Sequence, residues 1–170
     1  MTGISAIPPG LPLLLGALLL PLFGPRVRAI LVLGLPLLTL ALAWQVPDGA
    51  ILRIPFLDYE LEPVAGDRLS RLFGTIFAIA AFAGALFALN RARVIELAAG
   101  LACAGSAIGV TFAGDLITLV VFWEALALAS TLVVWSAMTD QSYHAGMRYI
   151  LIHLLGGVLL MTGIIAVSYT

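Results

Sequence analysis

The stretch LITLVVFWEALALASTLVVW, Leu116–Trp135, is apolar at almost every position and carries one carboxylate, Glu124, near its middle. Twenty such residues in an α-helix reach about 30 Å, the thickness of a bilayer's hydrocarbon core. The stretch therefore predicts a membrane-crossing helix with an ionisable group at mid-depth. Glu124 follows Asp115 by nine residues, a rise of about 13.5 Å.

The rest of the chain repeats the pattern. Of its 170 residues, 62% are hydrophobic and 10% charged, and the mean hydropathy is +1.16. A soluble domain has roughly 45–50% apolar and 25% charged residues. At about 20 residues per crossing, about six or seven spans fill the chain and leave no space for a soluble catalytic domain. Six spans are expected: about Pro8 to Phe23, Val27 to Val46, Leu69 to Leu89, Ile95 to Phe112, Leu116 to Ala137 and Ala145 to Val167. The fold class is thus an all-α polytopic membrane protein, with residues 1–170 forming a single membrane domain. The first span contains Pro8, Pro9, Pro12 and Pro21, and the second Pro36; in a membrane, neighbouring helices and water satisfy the freed carbonyls, and kinks are expected there. No Arg or Lys precedes the first apolar run, unlike a secretory signal, so it reads as a helix that stays.

The one long connection, Asp48 to Arg71, contains FLDYELE. Its alternation of Leu57, Tyr59 and Leu61 with Asp58, Glu60 and Glu62 is the period of a half-buried strand, and predicts a small extramembrane hairpin. Its acids read as a solvated face with no chemistry assigned. If the N-terminus faces out, Arg26, Arg28, Arg91, Arg93 and Arg148 lie inside and Arg53, Arg68 and Arg71 outside, which favours that orientation in a cell membrane, a bacterial inner membrane by preference. Asp115 and Asp67 read as helix caps, and Arg148 as a side chain reaching for the inner interface.

Several function classes drop out. A net charge of -1, with no basic stripe, argues against nucleic acid. The single Cys103 provides neither a disulfide nor a cysteine metal site and reads as a packed small residue. No Ser/His/Asp grouping and no ligand cluster marks an enzyme, a metal centre or a cofactor site. Ala- and Gly-rich runs, AIAAFAGALFA and AAGLACAGSAIG, let helix backbones approach closely and favour assembly with other membrane subunits.

A carboxylate at mid-depth normally faces a protein interior or a wet cavity with a partner. Burial disfavours its charged form and a nearby cation favours it, the balance a proton relay needs. Ala125, Ala127, Ala129 and Ser130 beyond it leave space for another helix or for water. His153, in RYILIHLLGG, is a second group that exchanges protons at physiological pH. The short TDQS turn makes spans five and six antiparallel neighbours. Counting inward from it places His153 nearer the inner surface than Glu124, with water as the bridge. The competing reading is a structural subunit in which Glu124 only holds helices together.

At this point the sequence resembles the antiporter-like membrane subunits shared by Mrp-type multisubunit sodium/proton antiporters and respiratory complex I, the Mrp D-type subunit most of all. DRLSRLF (Asp67–Phe73), GDLITLVVFWEALALAS (Gly114–Ser130) and AGMRYILIHLLGGVLLMTGI (Ala145–Ile164) carry the resemblance, and FWE is its most specific part. The resemblance implies about fourteen membrane helices, an outer N-terminus, and two inverted repeats of five helices with a broken helix in each. Glu124 matches the family's fifth-helix glutamate, which pairs with a lysine on the seventh helix and takes part in proton movement. His153 matches no assigned family residue. With six expected spans and no Lys, the chain corresponds to the N-terminal portion of such a subunit: either another chain supplies the lysine-bearing helix, or this is a truncated or split subunit, or it is a structural piece of a larger complex. The implied partners are the bilayer, other membrane subunits, protons and sodium.

Overall fold

A computed structural model describes residues 7–56 and 59–168. Six helices and one hairpin follow in order: α1 (Leu11–Leu19), which tightens into a 3₁₀ turn (Leu20–Leu22), α2 (Pro25–Gln45), β1 (Gly49–Phe56), β2 (Tyr59–Gly66), α3 (Arg68–Ala88), α4 (Val94–Phe112), α5 (Leu116–Trp135) and α6 (Asp140–Ser168). Helices α2 to α6 are each long and apolar enough to cross a membrane. The protein is a multi-pass membrane protein of the expected all-α class.

The first expected span is shorter than its apolar run. Leu11–Leu22 is apolar but short, about 18 Å of helix. Prolines set both limits. Pro8 accepts from the Leu11 N–H at 2.9 Å in a turn ahead of the helix, and Pro21 has no N–H to continue the α ladder, so the last turn is 3₁₀. Pro36, by contrast, is buried within an α2 that remains helical on both sides of it.

Short polar residues start the later helices. Asp67 accepts from the Ser70 N–H while Ser70 Oγ accepts from the Asp67 N–H at 2.8 Å, a reciprocal cap on α3. Asp115 Oδ1 accepts from the Thr118 N–H at 2.8 Å on α5. Both caps agree with the sequence. In the TDQS turn, Thr139 Oγ1 accepts from the Ser142 N–H at 3.0 Å and Ser142 Oγ from the Thr139 N–H at 3.1 Å. Met138 just before it takes φ 57°, the left-handed conformation that closes a helix end and reverses the chain.

Helix α4 is the centre of the bundle, packing against α1, α3 and α5, while α2 pairs with α3 and α6 with α5. Glycines permit the closest approaches. A Cβ on Gly10 would overlap the Gly105 carbonyl, and one on Gly105 would meet the Gly10 carbonyl at 2.9 Å, so α1 and α4 touch backbone to backbone. At Gly74 of α3 it is the ring of Phe112 that occupies the space a Cβ would take. Leu13, Leu20, Val32, Ala43, Ile108 and Phe112 form the interior. Lipid offers no hydrophobic drive between helices, so this packing is what holds them.

The hairpin pairs β1 and β2 antiparallel, from Gly49 opposite Gly66 to Phe56 opposite Tyr59. Leu57 and Asp58, part of the expected strand, lie outside the described residues. The simple alternation does not hold along β2. Val64 is its fully buried side chain, and two register shifts interrupt the ladder. Glu62, expected on a solvated face, is half-buried against the α4–α5 turn. Its N–H donates to Asp115 Oδ2 at 2.7 Å and its carbonyl accepts from the Gly114 N–H at 2.9 Å. One carboxylate thus caps α5 with one oxygen and ties the hairpin to the bundle with the other.

Candidate functional site

Asp115 fixes where α5 begins, and Glu124 is therefore the ninth of its 20 residues. Its side chain leaves α5 toward α6 and meets the backbone at Gly157. A Cβ at Gly157 would overlap Glu124 Oε1 and stand 3.0 Å from the carboxyl carbon. Only a residue without a side chain makes the notch that receives this carboxylate. Both of its oxygens are sealed from the surface and neither has a hydrogen-bond partner among the described residues.

His153 stands one helical turn before Gly157 on the same face of α6, about 6 Å along the axis. Its imidazole stacks on Trp123, with ring centroids 5.6 Å apart and planes at 24°, and lies beside Tyr149 at 5.8 Å and 32°. Nε2 is buried, again without a partner among the described residues. Adjacent residues of α5 therefore grip adjacent turns of α6: Trp123 holds His153, and Glu124 enters the notch at Gly157. The two sequence candidates are brought to one helix interface, a turn apart and with no hydrogen bond joining them.

The small residues beyond Glu124 make room for another helix, as expected, and that helix is α4. Ala127 and Ala129 are buried. Ser130 Oγ donates to the Leu126 carbonyl at 2.7 Å and stands 3.7 Å from Cys103 Sγ of α4. They are spent on packing within the chain. Arg148 is exposed near the start of α6. Among the described residues no ion pair includes Glu124, and no group of three His, Cys, Asp or Glu could hold a metal.

Gly157, Trp123 and Tyr149 were not singled out from sequence. A signal existed: Tyr149, His153 and Gly157 recur at four-residue intervals, one stripe on α6.

At the opposite end of the bundle surface, Asp115 shows how strongly the α5 cap is built. Partial burial pushes its carboxyl pKa up, but hydrogen bonds from Thr118, Glu62 and Ile117 outweigh that effect and hold it below the usual carboxylate range.

Residues 113–170 match the family described as NADH:quinone oxidoreductase/Mrp antiporter, transmembrane. Over this segment the chain is similar to the antiporter-like membrane subunits. The matched segment is about a third of the chain and coincides with α5, α6 and the turn between them, the part that holds Glu124, His153 and Gly157. No curated protein and no solved structure matches the chain. The similarity to that family therefore lies in the same two helices that form the site.

Proposed function

We propose that the chain is part of an antiporter-like membrane subunit of the Mrp D-type and contributes a proton site to a sodium/proton exchange path, with Glu124 as the group that takes up and releases the proton. The observation that carries the reading is the seat of that carboxylate: mid-helix, sealed from the surface, and without a partner among the described residues. A buried polar group left without a hydrogen bond is costly, and an ionised one far more so. Such a group persists where a proton, a water or a cationic side chain from a neighbouring helix completes it.

In this reading His153 is the next station toward the arginine-bearing end. Its imidazole is held by rings, and its buried Nε2, without a partner among the described residues, is left to bond a water reaching in from that end. Trp123 and Tyr149 position it. The cation that sets the proton affinity of Glu124 belongs to a helix beyond these six, since the 170 residues hold no lysine and no ion pair among the described residues includes Glu124. The N-terminus is outside and the arginine-rich turns face the cytoplasm.

Everted membrane vesicles carrying the assembled complex test this directly, by proton exchange on addition of sodium. Glu124→Gln keeps the shape of the side chain and is expected to abolish sodium-dependent exchange at normal assembly. Normal exchange by a fully assembled Glu124→Gln complex would overturn the proposal. Loss of assembly with transport retained in the surviving complexes would instead mark a structural subunit.

A further inference from the structure

Helix α6 meets α5 at two points of the same kind. Near its start, a Cβ on Gly146 would overlap Trp135 Nε1, with Cδ1 2.6 Å and Cε2 3.2 Å away, so the indole of α5 fills the space of a missing side chain. Farther along, Gly157 receives Glu124 in the same way. Eleven residues separate Glu124 from Trp135 on α5, and eleven separate Gly146 from Gly157 on α6. That interval is about three whole turns, with a rise of about 16.5 Å, so each helix carries its two points on one line. Gly146, Gly157 and Ile164 are the buried residues of α6 among those described.

The two points are unequal. Trp135 is anchored: its Nε1 donates to the Tyr143 carbonyl at 3.3 Å, and its ring stacks on that of Tyr143, with centroids 6.0 Å apart and planes at 21°. The short turn capped by Thr139 and Ser142 makes this a local contact. Glu124 has no such anchor. Neither of its oxygens has a hydrogen-bond partner among the described residues, so the place of the carboxylate is decided by the place of α6. One contact leaves a helix free to tilt and turn about it, and a second, about 16.5 Å away, removes both freedoms. A slip of one turn would set Trp135 against Ser142 or Ile150 and Glu124 against His153 or Met161. None of these offers the space of a glycine.

We propose that Trp135 is a positioning residue of the proton site: seated on Gly146, it sets the register and rotation of α6 that bring Gly157 under the Glu124 carboxylate. This rests on the reading of Glu124 as the group that exchanges the proton. Trp135 stands three turns from that group, and its effect passes through α6.

Two measurements test it. The first needs no transport and follows thermal unfolding of the full chain in detergent. If Trp135 fixes the register, Gly157→Ala lowers the midpoint less in a Trp135→Ala background than in the native one, because a released α6 shifts to make room. Sites this far apart with no shared partner ordinarily add. Gly146→Ala, which displaces the indole from the other side, provides a second background with the same expectation. Equal drops in all backgrounds, none at all included, overturn the proposal. The second measurement is sodium-dependent proton exchange by the assembled complex in vesicles, followed against pH. Trp135→Ala moves the pH of half-maximal exchange by about one unit or more, the scale on which altered surroundings shift a carboxyl group. Trp135→Phe keeps the native curve, since its ring replaces the pyrrole edge that sits on Gly146. A tryptophan that only stabilises the bundle lowers the amount of complex and leaves the curve of the assembled fraction unmoved, and that result also overturns the proposal. Full exchange by Glu124→Gln is instead a failure of the proton reading, and the unfolding comparison then decides the register by itself.

Discussion

Glu124 and Gly157 fit as key and notch: the carboxylate of α5 occupies the space a side chain on α6 would fill. Neither residue can change size without moving a helix or expelling the acid.

The first prediction concerns that fit. Gly157→Ala places a methyl group on Oε1 and is expected to cost about 1–3 kcal/mol in stability through overpacking, while lowering sodium-dependent proton exchange at least as severely as it lowers assembly. Gly156→Ala is the control. Its Cβ meets nothing within 4 Å, and losing a helical glycine stabilises by up to about 1 kcal/mol. Thermal unfolding in detergent and exchange in vesicles, measured on both variants, check it. Equal behaviour of the two would contradict the notch.

Replacing the acid itself separates transport from stability. Glu124→Gln exchanges an unpartnered buried carboxyl for a neutral amide of the same shape, so its midpoint of thermal unfolding is expected to be unchanged or higher. Exchange falls all the same. A marked drop in thermal stability would indicate that the carboxyl holds the helices together.

His153 gives a third test. His153→Phe keeps a ring between Trp123 and Tyr149 but removes the nitrogen, and His153→Ala removes both. If the nitrogen relays protons, both variants slow exchange by about tenfold or more, on the scale of a lost acid–base group. Only His153→Ala loses stability, by about 0.5–3 kcal/mol for a half-buried ring. Full exchange in His153→Phe would confine the histidine to packing.

The fourth concerns pH and the hairpin. Asp115 has a folded pKa below its ordinary value of 3.8, so its contribution is complete above the unfolded value and is lost as pH falls through the lowered folded value. Acid is therefore expected to loosen the α4–α5 turn and the Glu62 contact before the membrane helices yield. Protease cleavage of the hairpin should rise below about pH 4. Asp115→Ala, which costs about 1 kcal/mol for the cap alone, should show that cleavage at neutral pH. A hairpin equally resistant at every pH would refute the tie.

Hydropathy by itself determined the class of the protein, the places of α2 to α6 and the mid-helix position of Glu124, because the cost of placing a residue in lipid is local and additive along a helix. The caps at Asp67 and Asp115 were legible for the same reason, each closing on a residue three positions away. The short first helix was less legible, since an apolar run does not reveal where prolines end its ladder. The tertiary structure alone decided which faces meet. Helix α5 is apolar all round, so no amphipathic stripe points to its interior side, and the pairing of Glu124 with Gly157 depends on the rotation of two helices about their axes. Nothing in the composition of β2 required Glu62 to reach Asp115. That bond exists because folding brings two chain segments to one end of the bundle, where backbone groups that leave water must find a partner.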